Sequence, residues 1–146
     1  MKRLLLMMLF ATPAIAAPCA RVSTLSCPSA ANVGASIESA DCDAADGTRY
    51  DLFEFSGIAG DTVTLEMHST AFDTFLSLID PNEVPVAQND DGFAGSTDSR
   101  ISFTLTATGT WTVVANSAGA GAGSYVLAMT CPQAAPPANR RRAVTK

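Results

Sequence analysis

The amino-acid sequence predicts an all-β protein, an antiparallel sandwich or barrel of about eight strands. Three observations carry that expectation. From about residue 32 to Cys131, apolar residues recur with a period of two, as in strands that turn one face to a core and one to water. Clusters of Gly, Asn, Asp and Pro separate these stretches at short intervals. No long helical pattern follows the N-terminal apolar run. With 146 residues, 47% hydrophobic and 16% charged, the chain has the composition of one globular domain rather than of a disordered protein.

The elements follow in order. Val33, Ala35 and Ile37 alternate with small or polar residues. After the Asp46-Gly47 turn, Arg49 to Phe55 reads as a strand with apolar residues on both faces. Beyond Gly57-Ile58-Ala59-Gly60-Asp61, Val63, Leu65 and Met67 alternate with Thr64, Glu66 and His68. Thr74 to Ile79 is again apolar on both faces and stops at Pro81-Asn82. Val84 to Gln88 contains Pro85, which has no N–H for a ladder, so a short edge strand is expected. After Asn89-Asp90-Asp91-Gly92, Ile101, Phe103 and Leu105 alternate with Ser102, Thr104 and Thr106. Past Thr108-Gly109, Trp111, Val113 and Ala115 face Thr112, Val114 and Asn116 across the strand, and Tyr125, Leu127 and Met129 close the set. The stretch Ala115 to Gly123 is too glycine-rich for a helix and reads as a flexible hairpin loop.

The first residues read as a secretory leader. Lys2-Arg3 precede an apolar run from Leu4 to Phe10, too short to span a bilayer, and Ala14-Ile15-Ala16 supplies the small residues that signal peptidase reads. Residues 1–16 are therefore expected to be a signal peptide and 17–31 an N-terminal Cys-containing segment. The sandwich is expected over 32–131 and a flexible basic tail over 132–146. The mature protein is expected to be exported, secreted or periplasmic, with no transmembrane segment.

Loss of Lys2 and Arg3 takes the net charge from −5 to −7, and the four bases of the tail (Arg140, Arg141, Arg142, Lys146) leave −11 on residues 17–131. Phosphate affinity comes from basic side chains, so such a body is no nucleic-acid binder. Cys19, Cys27, Cys42 and Cys131 survive cleavage and read as two disulfides, with three pairings open. A Cys27–Cys131 bridge would clamp the two ends of the apolar pattern; Cys19 or Cys42 remain alternative partners for Cys131.

From about Ser36 onward the chain resembles the bacterial pre-peptidase C-terminal (PPC) domain. The resemblance rests on Asp41-Cys42, Asp46-Gly47, Tyr50 to Phe55, Ala59 to Thr64, Phe72 to Pro81, Asn89 to Gly92, Ser99 to Ile101, Gly109 to Val113 and Gly123 to Leu127, in that order. Trp111 stands where the family more often has Tyr. The resemblance implies a jelly-roll-like β-sandwich and a non-catalytic accessory module, commonly found beside a secreted peptidase or other hydrolase. In collagenase relatives it implies binding of substrate fibres and of calcium. No catalytic domain is evident beside it, which points to a free-standing module that binds a protein or an extracellular polymer. The alternative is a periplasmic structural or inhibitor-like domain that binds a protein without metal.

Calcium takes six to eight oxygens, commonly from loop carboxylates, amides and carbonyls, so Asp73 with Asn89, Asp90 and Asp91 is the candidate metal site. Asn-Asp-Asp-Gly is also a turn whose side chains cap their own backbone. Asp41, Asp43 and Asp46 form a second acidic cluster, but its spacing departs from an EF-hand loop and no Glu follows at the twelfth position. A triad of His68, Ser69 and Asp73 is disfavoured, because His68 falls on the polar face and no G-x-S-x-G elbow occurs. No enzyme is expected. Phe53, Phe55, Phe75, Phe103, Trp111 and Tyr125 are candidate core aromatics, while Tyr50, Phe72 and Phe93 are candidates for an exposed aromatic platform.

Overall fold

A computed structural model describes residues 21–27 and 31–132. The expected leader (1–16), Cys19 and nearly all of the tail (133–146) lie outside the described residues. Ten strands are present among the described residues, and no helix. They are β1 (Arg21–Leu25), β2 (Ala31–Ile37), β3 (Cys42–Asp43), β4 (Arg49–Gly57), β5 (Thr62–His68), β6 (Thr74–Ile79), β7 (Pro85–Asn89), β8 (Ser99–Thr104), β9 (Gly109–Ser117) and β10 (Gly123–Thr130).

The strands form two sheets. Sheet A runs β1-β4-β9-β6-β7, with β3 also on β4; sheet B runs β2-β10-β5-β8. Every pair is antiparallel except β1 with β4, which is parallel. One edge of β4 is shared: β3 pairs with Arg49 and Tyr50, and β1 takes over from Leu52 to Phe55. The sequence expectation of about eight strands therefore falls short by β1 and β3. The expected hairpin loop from Ala115 also begins three residues later, at Ala118, because β9 continues to Ser117. Pro85 opens β7, an edge strand as expected.

The period-two residues meet between the sheets. Sheet A contributes Phe53, Phe55, Leu76, Leu78, Trp111, Val113 and Ala115; sheet B contributes Ile37, Val63, Leu65, Met67, Ile101, Tyr125, Leu127 and Met129, all buried. Trp111 stacks on Phe55 at 6.5 Å and tilts against Phe103 at 6.0 Å, while its indole N–H donates to the Ala107 carbonyl. Gly57 is required beside this cluster. A Cβ there would overlap Leu105 Cδ1 and sit 2.8 Å from Trp111 Cδ1. A disulfide joins Cys27, between the sheets' first strands, to Cys131, just past β10. Cys42 is disulfide-bonded as well, and no described cysteine is free.

Candidate functional site

Four loops gather at one end of the sandwich: residues 44–48 between β3 and β4, 69–73 between β5 and β6, 90–98 between β7 and β8, and 118–122 between β9 and β10. Backbone bonds tie them together, with Ala118 N–H donating to the Asp73 carbonyl and Thr74 N–H to that of Thr97. The opposite end holds the loops at 58–61, 80–84 and 105–108, where exposed Ile58 and Val84 lie.

A cleft of about 400 Å³ opens among three of the four loops, lined by Asp46, Thr48, Phe75, Asp90 and residues 116–120. One wall is a short relay. Asn116 Nδ2 donates to Thr48 Oγ1 at 3.0 Å, and Thr48 Oγ1 donates to Asp46 Oδ1 at 2.7 Å. The Thr48 hydroxyl, then the Thr48 backbone N–H at 3.0 Å, hold the Asp46 carboxyl below its ordinary range. Phe75 stands on the outer face of sheet A and forms part of the cleft rather than the core, because Thr74, Leu76 and Leu78 take the inward phase of β6.

A second cleft of about 360 Å³ lies against sheet B, between His68, Ser69, Thr70, Asp98, Ser124, Tyr125 and Val126. The chain's sole histidine is engaged there by two carboxylates: His68 Nδ1 donates to Asp98 Oδ2 at 2.9 Å, and Nε2 lies 3.6 Å from Glu66 Oε2. Ser69 Oγ donates to the Ser124 carbonyl and accepts from the Ala71 and Phe72 amides, so it closes a turn rather than meeting His68. Asp73 has no hydrogen bond to either. The arrangement contains no nucleophile bonded to a base.

The candidate calcium ligands have structural engagements. Asn89 Oδ1 accepts the Arg100 N–H at 2.8 Å, the Asp90 carbonyl accepts from Ser99 Oγ, and the Asp73 carbonyl accepts from Ala118. The carboxylates of Asp73, Asp90 and Asp91 are exposed. Among the described residues, no three His, Cys, Asp or Glu side chains converge as a metal cluster. In the second acidic group, Asp41 accepts from the Glu38 amide, Asp43 pairs with Arg49 at 3.2 Å and Asp46 accepts from Thr48.

The expected aromatic platform does not form as a unit. Phe72 is buried, edge-on to Tyr125 at 6.3 Å, because Gly121 lets the 118–122 loop come down on it. Tyr50 is half-buried, paired in register with Cys42 and Asn116. Phe93, half-buried as well, sits on the 90–98 loop between His68 at 5.6 Å and the Arg100 guanidinium at 5.7 Å.

One polar pair crosses the core. Tyr125 OH of sheet B donates to Asp51 Oδ2 of sheet A at 2.6 Å, with the two residues 3% and 4% exposed. Burial raises the Asp51 carboxyl, against the Tyr125 hydrogen bond and with repulsion from Asp41 and Glu38. Burial first, then Asp51, pushes the Tyr125 phenol far up. The sequence does carry a signal for Asp51, an acid in phase with Phe53 and Phe55.

The family model of the bacterial pre-peptidase C-terminal domain matches residues 49–117. No curated protein matches the sequence. Among solved structures, the chain is similar to the pre-peptidase C-terminal domain of a Bacillus anthracis collagenase, at 11% identity and a TM-score of 0.55, over 78% of this chain and 100% of that one. It is similar to Aeromonas hydrophila PliG, a periplasmic inhibitor of g-type lysozyme, at 17% identity and a TM-score of 0.52, over 77% and 98%. Salmonella Typhimurium PliG gives 15% identity and a TM-score of 0.50 over 75% and 98%. At these identities the shared property is the sandwich fold.

Proposed function

From the match of residues 49–117 to the bacterial pre-peptidase C-terminal domain, we propose that the protein is an exported, non-catalytic module of that type that binds another protein through its four-loop end. The observation that carries this reading is the convergence of those loops around two open clefts, without a nucleophile–base pair. Loops positioned by a rigid sheet scaffold are where recognition is concentrated. The Cys27–Cys131 disulfide supports an oxidising compartment. No helix among the described residues is long and apolar enough to cross a membrane.

In this reading the module works without calcium. What supports that is the engagement of the Asn89 amide oxygen with Arg100 and the lack of converging carboxylates among the described residues. A protein partner is favoured over a polymer because Phe72 and Tyr50 do not join Phe93 in a stacking platform. The same fold serves PliG as a lysozyme inhibitor, so g-type lysozyme belongs in a binding panel beside secreted peptidases. The test is surface binding of the oxidised full chain to that panel. Phe93→Ala or Asp90→Arg at the loop end should weaken capture at least tenfold, and Ile58→Ser at the opposite end should not. Binding that follows Ile58, or turnover of a peptide or glycan substrate that His68→Ala abolishes, would overturn the reading.

A further inference from the structure

The 90–98 loop is held by two kinds of contact. Its root is fixed by buried neutral groups: Thr74 N–H and Oγ1 both donate to the Thr97 carbonyl, and Thr74 Oγ1 lies 2.7 Å from Ser99 Oγ. Its outer part is held by charge. Asp98 accepts from His68 Nδ1 at 2.9 Å and from the Ser69 amide at 3.1 Å. The Asp98 carbonyl in turn accepts the Gly92 N–H at 2.7 Å. Phe93 lies over the His68 ring and under the Arg100 guanidinium. Glu66 bridges the two cations, with Oε2 3.6 Å from His68 Nε2 and Oε1 3.3 Å from Arg100 Nε. Gly92 sits so close to β8 that a Cβ would overlap the Arg100 backbone.

Every charged group facing His68 belongs to this set. Its own strand supplies Glu66, the 90–98 loop and β8 supply Asp98 and Arg100, and its register partner on β10 is Val126. We propose that His68 is a proton-controlled latch: its imidazolium holds Asp98 and Phe93 of the 90–98 loop against the edge of sheet B, and loss of that proton loosens the outer loop while the Thr74–Ser99 root stays fixed.

The direction of the switch follows from both partners. The Asp98 hydrogen bond raises His68 above its ordinary value, against burial, with Glu66 adding to the rise. Burial raises Asp98, and the bonds from His68, Ser69 and Ser96 more than offset it, so Asp98 is held low. A raised histidine stabilises fully below its unfolded value of about 6.5, and that contribution is lost as pH rises through the folded value. A lowered aspartate contributes above about 3.9 and loses its contribution in acid. The latch is thus closed in mildly acidic solution and released toward alkaline pH.

With one histidine in the chain, proton NMR of the oxidised full-length protein reads the switch directly. The His68 imidazole should titrate above about 6.5 and move down in Asp98→Asn. Hydrogen-exchange protection of the Gly92 and Ser69 amides should fall about two- to fivefold as pH rises through that titration, the range of a partly exposed ion pair. The Thr74 amide should not follow, and His68→Gln should flatten the response. A wild-type imidazole titrating at or below its ordinary value, or Gly92 protection equal on both sides of the titration, overturns the proposal.

Discussion

Tyr125→Phe isolates the one polar bond that spans the core. Phenylalanine keeps the ring, including its edge-on contact with Phe72 at 6.3 Å, and deletes only the hydroxyl that reaches Asp51 Oδ2 at 2.6 Å. Both residues are at least 96% buried, so the abandoned carboxylate has no water to turn to. A hydrogen bond to a charged group contributes about 1.5–3 kcal/mol. The expected loss is about 2 kcal/mol at neutral pH, or a fall in Tm of about 6–10 °C for a body of this size. In an Asp51→Asn background the amide oxygen still accepts from Tyr125 but carries no charge, so the same deletion should cost only about 1 kcal/mol. Burial raises the Asp51 carboxyl, so the folded state binds its proton more tightly than the unfolded state. That favours folding below the unfolded value, and the contribution is lost as pH rises through the folded one. Asp51→Asn should therefore gain on wild type as pH rises from 4 to 7. Urea unfolding of the four proteins at both pH values is the assay. A Tyr125→Phe loss under about 0.5 kcal/mol, or an Asp51→Asn difference that does not change with pH, would refute the reasoning.

Three further outcomes are expected. Cys27→Ser opens a loop of sequence separation 104 and should cost about 4–5 kcal/mol by the chain-entropy relation, seen as a lower urea midpoint. Gly57→Ala should lose about 1–3 kcal/mol by overpacking against Leu105 and Trp111, whereas Gly34→Ala, which meets nothing within 4 Å, should leave Tm unchanged or slightly higher. On the proposed metal-free reading, millimolar calcium should move Tm by less than about 1 °C, since RT ln(1 + [L]/Kd) is negligible where Kd lies far above the calcium concentration; elemental analysis of the purified protein should find no metal.

The strands legible in the sequence are those whose two faces differ in chemistry. Val63-Leu65-Met67 announce their inner side because Thr, Glu and His occupy the other, and Tyr125-Leu127-Met129 because Ser124, Ala128 and Thr130 flank the single outward Val126. β6 hides its phase: Thr74 points inward and Phe75 outward, so polarity misleads at both, and Phe75 reads as core when it forms part of a cleft. β1 is missed because its justification is non-local, a parallel pairing with Leu52 to Phe55 that no short-range pattern encodes. Phe72 reads as a loop aromatic, since its burial depends on glycine 49 residues away in sequence. The charged network at His68 is invisible for the same reason. Asp98 and Arg100 reach β5 only through the β5–β8 register, Met67 opposite Ser99 and Glu66 opposite Arg100. Acid-rich turns, by contrast, attract notice in a sequence, yet Asp41 and Asp46 accept from the nearby Glu38 and Thr48 amides and so cap their own turns.

The Cys27–Cys131 bridge has a mechanical consequence. Its two Cα atoms lie 5.7 Å apart while 104 positions of chain separate them. Tension applied from beyond both cysteines passes from one cysteine to the other through the sulfurs and bypasses the intervening strands. Strands β2 to β10 are thus shielded from pulling at the termini until that covalent shortcut is cut, whereas β1 precedes Cys27 and is held only by its pairing with β4.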